Sequence, residues 1–374
     1  MRAGDEIVIE PGELVAGGDA MARVDGMPLF VPGIYPGDVA RVRITEVKKG
    51  FARAELVRVE QPSALRRAAP CPIAGECGGC DWTVLRLDAQ LAAKERILRE
   101  SLRRIGKMSS IPPIVIHPSP LNYRLRSRLH RDGDAVGFYA MRSNRVVPLA
   151  RECEVVGVRT ALECGGAAAA FDREKAAPPP NSKEIWEVDG RVIPDDEEIT
   201  LRIGENTYRL STGAFFQVNR HLLQTMLTLV THLAGRGALA VDLYAGVGFF
   251  TLPLTKLFDR VIAVEGSPLS SRYLRLNTTA ECVNEPVEQY VARMPEADFI
   301  FLDPPRAGAR REVIDAVAQR ARRVVCHLAC DPVLFARDAN RLIAAGWRLA
   351  TLDLLDLFPN THHVETLASF ERAR

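Results

Sequence analysis

The chain changes its apolar rhythm along its length. Over the first 60 residues or so, short apolar runs recur at Glu6–Ile9, Leu29–Val31, Val39–Ile44 and Ala52–Val59. Turn pairs interrupt them at Pro11-Gly12, Gly17-Gly18, Pro32-Gly33 and Pro36-Gly37. Within Val39-Ala40-Arg41-Val42-Arg43-Ile44 apolar and charged residues alternate, which is the pattern of a half-buried strand. Five short strands at this spacing predict a small barrel of the kind that binds oligonucleotides.

A different period follows. Leu85, Leu91, Ile97, Leu98, Leu102 and Ile105 stand near helical spacing, which predicts a helix from Val84 to Ile105 with Gly106 as its stop. Tyr123–Arg131 reads as a strand with Arg124, Arg126 and Arg128 on one face and Leu125 and Leu129 on the other. Residues 165–183, rich in Gly, Ala and Pro, read as a helix stub and a loose loop. From about residue 200 apolar runs at Leu239–Tyr244, Val261–Glu265, Phe299–Leu302, Val324–Leu328 and Arg348–Leu355 alternate with helical segments. That rhythm predicts an α/β fold with a mostly parallel, doubly wound sheet, its boundary lying between 185 and 210.

Composition adds bounds. The chain has 374 residues, 47% hydrophobic and 26% charged, a length that suits two or three domains of ordinary globular type. Charge is nearly balanced at +2, but its distribution is uneven. From Arg86 to Arg131 eleven Lys or Arg face only Asp88, Glu95 and Glu100, a local excess suited either to a phosphate backbone or to a solvated helix and strand. The first ten residues carry Arg2, Asp5, Glu6 and Glu10, so no signal peptide is expected. No run of about 18 apolar residues occurs, so neither a membrane span nor a membrane partner is expected, and a cytoplasmic location is the default. The eight cysteines then point to metal binding or catalysis rather than a disulfide framework.

Two stretches carry candidate chemistry. Val241-Asp242-Leu243-Tyr244-Ala245-Gly246-Val247-Gly248 runs from a strand into a glycine turn, where the backbone can approach a ligand closely. Glu265 ends the next strand, where an acid can accept ribose hydroxyls. Thr251 occupies the place of a third glycine, which favours a nucleoside cofactor over a pyrophosphate. Asp303, in Asp303-Pro304-Pro305-Arg306, ends another strand at the same sheet edge. Cys330 follows Val324–Leu328 at that edge too, unlike Cys326 within the strand. Glu365 lies in a C-terminal segment able to return there, so a thiol nucleophile and a carboxylate base form a candidate pair. Carbon 5 of uridine needs such a pair: a thiolate adds at C6 to make C5 nucleophilic, and a base then removes the C5 proton.

The motifs Asp242-Leu243-Tyr244-Ala245-Gly246-Val247-Gly248, Asp303-Pro304-Pro305-Arg306-Ala307-Gly308, Cys330-Asp331-Pro332 with Ala336-Arg337-Asp338, and Phe358-Pro359 with His363-Val364-Glu365 occur in an order that resembles the RNA uracil-5-methyltransferases. The likeness spans nearly the whole chain and is greatest to the iron–sulfur type acting on 23S ribosomal RNA. It implies a TRAM-like, OB-like barrel over 1–61, a central iron–sulfur α+β domain over 62–200, and a Rossmann-like class I methyltransferase domain over 201–374. It implies Cys330 as nucleophile and Glu365 as proton acceptor. Gln217, Tyr244, Gly246, Gly248, Glu265 and Asp303 are implied to line the pocket for S-adenosylmethionine and the base. Cys71, Cys77, Cys80 and Cys153 resemble the ligands of a [4Fe–4S] cluster, with zinc as the lesser alternative and Cys164 as a poorer fourth ligand. Two positions depart from the family: Phe249 stands where Asn is common, and Asp331 where Asn usually follows the nucleophile. An acid beside Cys330 is expected to raise its thiol pKa.

The implied partner is RNA, 23S ribosomal RNA first and transfer RNA second, with no obligate protein partner. A noncatalytic RNA-binding protein would be expected to have lost Cys330 or Glu365, and an iron–sulfur redox protein to carry a second cofactor motif. Neither feature is seen.

Overall fold

The computed structural model describes residues 1–156, 184–188, 191–193 and 196–372. The loop expected at 165–183 and Cys164 lie outside the described residues. The N-terminal part is a six-stranded sheet of β1 (Glu6–Ile9), β2 (Glu13–Leu14), β3 (Ala20–Val24), β4 (Met27–Val31), β5 (Val39–Lys48) and β6 (Phe51–Gln61), ordered β1-β5-β6-β4-β3-β2. Six strands replace the expected five, because the two residues of β2 are too few to show an alternation. The pattern in β5 works as read: Ala40, Val42 and Ile44 are buried, while Arg41 and Arg43 face out and pair with Glu60, Glu6 and Glu55. Buried Asp38 accepts from the Tyr35 and Ser63 N–H groups and from the Arg66 guanidinium, tying the sheet to the chain that leaves it.

The predicted helix is α1 (Leu87–Arg104), which buries Gln90, Ala93, Lys94, Ile97, Leu98, Ser101 and Leu102 along one side. After it, β7 (Ile114–His117) joins the edge of the C-terminal sheet. The stretch from Leu87 to His117 therefore builds onto the same layers as the C-terminal part of the chain.

A second sheet holds β8 (Arg126–Asp132), β9 (Ala135–Tyr139), β10 (Val146–Pro148), β11 (Glu184–Val188) and β12 (Arg191–Ile193) in the antiparallel order β10-β9-β8-β11-β12. The strand read at Tyr123–Arg131 starts later than expected, since Arg124 makes only an isolated bridge to Asn219. Its arginines also differ in use. Arg126 is buried, donates to the Thr212 and Ala214 carbonyls (3.3 and 2.6 Å) and lies 5.0 Å from the Trp186 ring, so it ties the interior together. A hairpin of β13 (Glu198–Ile203) and β14 (Asn206–Ser211) follows.

The C-terminal sheet has β15 (Gly237–Leu243), β16 (Phe258–Val264), β17 (Glu281–Val283), β18 (Ala297–Leu302), β19 (Ala321–Ala329), β20 (Trp347–Leu355) and β21 (Glu365–Arg372). Its order is β17-β16-β15-β18-β19-β21-β20-β7, parallel except for β21, which is antiparallel to both neighbours. Helix α2 (Leu223–Ala234) leads into β15, and α3 (Pro268–Asn277), α4 (Arg311–Arg320) and α5 (Pro332–Ala344) connect later strands. Side chains alternate across the sheet: Val241, Leu243, Ile300 and Leu302 pack with α1, α4 and α5, while Ala240, Phe299 and Phe301 pack with α2. Both faces are covered, which explains the near-continuous apolar strands. Among the described residues no helix is long and apolar enough to cross a membrane.

Candidate active site

Ligands of an open α/β sheet bind beyond the carboxyl ends of its strands. Tyr244 follows β15, Glu265 follows β16, Asp303 follows β18 and Cys330 follows β19. Glu365 opens β21, and because that strand runs antiparallel its amino end lies at this same edge. Ala329 pairs with Thr366, so the register continued by one residue sets Cys330 across from Glu365.

The glycine turn is built for close approach. Gly246 and Gly248 have φ of 57° and 92°, which L side chains rarely adopt. Tyr244 also has a left-handed backbone, φ 63°, a strained conformation for a bulky residue. Its hydroxyl donates to Glu288 Oε1 at 3.0 Å. Glu265 receives the Gly246 N–H at 2.8 Å and the Ser267 N–H at 2.6 Å, which fixes the carboxylate against the turn. Gln217 comes from the loop before α2, and its Nε2 donates to Asp303 Oδ2 at 3.2 Å. All six residues expected around the cofactor lie at this edge of the sheet.

Burial dominates the electrostatics. Asp303 is pushed up to about 8 by burial, with the nearby Asp242 carboxyl adding to the rise. Asp242 is pushed up to about 7 by burial and accepts from the Thr251 hydroxyl at 2.5 Å. Glu365 is raised well above the usual carboxylate range by burial and then by Asp303, against the pull of Arg306. The Cys330 thiol is pushed up to about 11 by burial, then Glu365, then Asp303; Arg306 again opposes the rise.

Asp331 has another task. Its Oδ1 accepts the Val333 and Leu334 N–H groups, both at 2.8 Å, as the N-cap of α5, with Pro332 at the first helical position. The thiol is raised as expected, but by other groups. Phe249 is a core residue: its ring packs against Tyr208, Phe216 and Phe250, and its carbonyl receives the Tyr208 hydroxyl at 2.9 Å.

Cys71, Cys77, Cys80 and Cys153 line one cavity together with Gly79, Phe138, Glu154 and Asn360. They influence one another electrostatically, Cys153 acting on the other three. Four thiols around one cavity fit the donor set that an iron–sulfur cluster needs. Among the described residues, no three His, Cys, Asp or Glu side chains are gathered tightly enough for a single metal ion.

Sequence reasoning missed three residues at or near this edge. Arg306 acts electrostatically on Cys330, Glu365 and His363. His363 is held down to about 4 by burial, then by its neighbours His362 and Arg306. Asn360 is fully buried with φ 68°. Arg306 and His363 stood inside quoted motifs, and only folding shows what they face.

A doubly wound sheet with one antiparallel strand inserted near its end is the Rossmann-like methyltransferase fold. A TRAM domain matches residues 7–57, and the tRNA (Uracil-5-)-methyltransferase family matches residues 194–299 and 287–373. The 23S rRNA (uracil(1939)-C(5))-methyltransferase RlmD of Acidithiobacillus ferrooxidans is 31% identical over 95% of this chain and 95% of its own length. An uncharacterized RNA methyltransferase, Bd3828, of Bdellovibrio bacteriovorus is 31% identical over 98% of this chain and 95% of its own. The crystal structure of Pyrococcus abyssi tRNA (uracil-54, C5)-methyltransferase in complex with S-adenosyl-L-homocysteine superposes with a TM-score of 0.71 at 21% identity, covering 97% of this chain and 100% of that one. The chain belongs to the RNA uracil-5-methyltransferases, enzymes that use S-adenosylmethionine.

Proposed function

We propose that this enzyme methylates carbon 5 of a uridine in 23S ribosomal RNA through a covalent bond between Cys330 and C6 of the ring. The observation that carries the reading is the placement of Cys330 across from Glu365, beside Asp303, at the cofactor edge of the sheet. Bound S-adenosylmethionine supplies an electrophilic methyl group, and Gln217, Tyr244, Gly246, Gly248, Glu265 and Asp303 would hold it and the base. The Cys330 thiol and the buried Glu365 carboxyl each lose a proton to solvent, and the sulfur adds to C6 of the ring. The C5=C6 electron pair shifts toward C5 and O4, and C5 takes the methyl group as the methyl–sulfonium bond breaks, its electron pair staying on that sulfur. The Glu365 carboxylate then accepts the C5 proton, the C5=C6 bond re-forms, and the Cys330 sulfur leaves as thiolate. Asp303, pushed up to about 8, holds a proton near neutral pH and can donate a hydrogen bond where enolate charge builds.

The preference for 23S ribosomal RNA is supported by the RlmD relative, the TRAM match and the four gathered cysteines. Transfer RNA is the second reading, favoured by the description of the matching family. The four cysteines are proposed to hold a [4Fe–4S] cluster. Tetrahedral zinc at about 2.3 Å from each sulfur needs a tighter group, whereas each cluster thiolate binds its own iron. The cluster would shape the protein, since the transfer involves no electron step. The division at 61 is kept, while that at 200 falls within β13 and leaves β7 on the C-terminal sheet; the absence of an obligate protein partner and a cytoplasmic location complete the proposal.

The test is mass spectrometry of RNase fragments of ribosomal and transfer RNA from cells with and without the gene. The expected result is loss of one 5-methyluridine from a 23S fragment. Loss from a transfer RNA fragment instead would move the substrate, and loss from neither would overturn the proposed activity.

A further inference from the structure

Asn360 lies five residues before Glu365, fully buried and left-handed, and all of its polar groups are bonded to distant parts of the chain. Its N–H donates to Gln90 Oε1 at 2.8 Å, and its carbonyl accepts the Trp82 N–H at 2.9 Å. Its Oδ1 accepts from Arg67 Nη2 at 2.9 Å and Gln90 Nε2 at 3.1 Å, and its Nδ2 donates to Glu154 Oε2 at 2.8 Å. Glu154 is also the ion-pair partner of Arg67 at 2.7 Å. Two of these partners flank the cysteine cavity: Trp82 is two residues after Cys80, and Glu154 is next to Cys153. Asn360 itself lines that cavity.

A second set of bonds runs alongside. His362 donates its N–H to Asp81 Oδ1 at 3.1 Å, and its ring Nδ1 is 2.5 Å from Asp81 Oδ2. Lys94, one helical turn after Gln90 on α1, donates to the Phe358 carbonyl at 3.0 Å. The segment Phe358–Val364 is therefore held by polar bonds to both cysteine-bearing stretches and to α1, and strand pairing begins only at Glu365.

We infer that Asn360 is a positioning residue that clamps the segment leading to Glu365 onto the stretches carrying Cys80 and Cys153, so that the integrity of the cysteine site sets the position of Glu365 and His363. The catalytic part rests on the proposed role of Glu365; the mechanical part does not. Asn suits the position twice, since it tolerates positive φ and offers both a donor and acceptor. Dismantling the cysteine site frees Trp82 and Glu154, and the clamp loosens with them.

The experiment is hydrogen exchange by mass spectrometry on the full chain purified without oxygen, comparing wild type, Asn360→Gly and Cys153→Ser. Glycine keeps the backbone conformation and removes only the side-chain bonds. Exchange in 358–365 is expected to quicken at least tenfold in both variants, and in 80–85 in Asn360→Gly, with α2 and β15 unchanged. In Asn360→Gly, kcat is expected to fall tenfold or more while KM for S-adenosylmethionine stays within twofold. Should Asn360→Gly not fold, Glu154→Ala is expected to quicken the same two stretches. Unchanged exchange at 358–365 in Cys153→Ser, or quickening spread evenly over the chain in the clamp variants, would overturn the inference. Exchange that shifts as expected in the variants, with a wild type that methylates no RNA, would leave the clamp standing and remove only the proposed activity.

Discussion

Cys330 stands across from Glu365 because β21 returns antiparallel beside β19, with Ala329 paired to Thr366 one step inside. A parallel strand would have brought its carboxyl end to this edge and placed Glu365 at the far side of the sheet. The single reversed strand thus creates the pairing of thiol and carboxylate on which the proposed chemistry depends.

Glu365→Gln separates the two halves of that chemistry. The variant keeps the shape of the side chain and loses the proton acceptor. Cys330 should still add to the ring and C5 should still be methylated, but release of the sulfur should slow by roughly 10²-fold or more. The expected outcome is a protein–RNA complex that survives denaturing electrophoresis and contains the methyl group. Rapid turnover with no trapped complex would assign the proton to another group.

The thiol itself can be titrated in the free protein. Burial, Glu365 and Asp303 push Cys330 up to about 11, so its thiolate fraction should still be rising at pH 10. Alkylation by iodoacetamide, followed at the Cys330 peptide, should quicken close to tenfold per pH unit between 8 and 10. Arg306 opposes the rise, so Arg306→Met should slow alkylation at every pH in that window. A plateau near pH 8 would contradict the account.

Asp242 links the cofactor turn to stability. Its folded value of about 7 lies above that of an unfolded carboxyl, near 4, so at intermediate pH the unfolded state binds fewer protons. This contribution is fully present below about pH 4 and is lost as pH rises through 7, at most about 4 kcal/mol. Its Oδ1 has no hydrogen-bond partner among the described residues, consistent with a neutral carboxyl. Asp242→Asn should therefore lose less stability than wild type between pH 5 and 8 in urea unfolding. Parallel curves for the two proteins would remove the argument.

Protein purified without oxygen should carry about four irons and four sulfides per chain. Cys77→Ser should lower both by more than half, while Cys282→Ser, far from the cavity in sequence and absent from its lining, should leave them unchanged. Recovery of one zinc per chain without sulfide would replace the proposed cluster.

Much of the site was readable from sequence because strand ends in a doubly wound sheet are marked by composition. Apolar runs stop at Tyr244, Glu265, Asp303 and Cys330, and all four reach the same edge. The direction of β21 was not readable. Thr366, Leu367, Ala368, Ser369 and Phe370 are all buried, so no alternation distinguishes the strand or its orientation. The joining of β7 to the C-terminal sheet was hidden for a similar reason: four residues set no period of their own. Arg126 was read from its charge as a surface group, yet its carbonyl partners come from a loop 86 and 88 residues away. Nothing in the sequence marks Asn360, since its partners lie as far back as Arg67.

The central claim is the covalent bond to Cys330. The most direct measurement uses an RNA fragment with 5-fluorouridine at the target position, incubated with S-adenosylmethionine and the enzyme, digested and analysed by mass spectrometry. Fluorine at C5 leaves no proton for Glu365 to accept, so the reaction should halt with the nucleotide joined to the Cys330 peptide in nearly one-to-one yield. Cys330→Ala should give no adduct while binding S-adenosylmethionine within twofold of wild type. A methylated product from unmodified RNA, together with no adduct or an adduct on any other residue, would contradict the account.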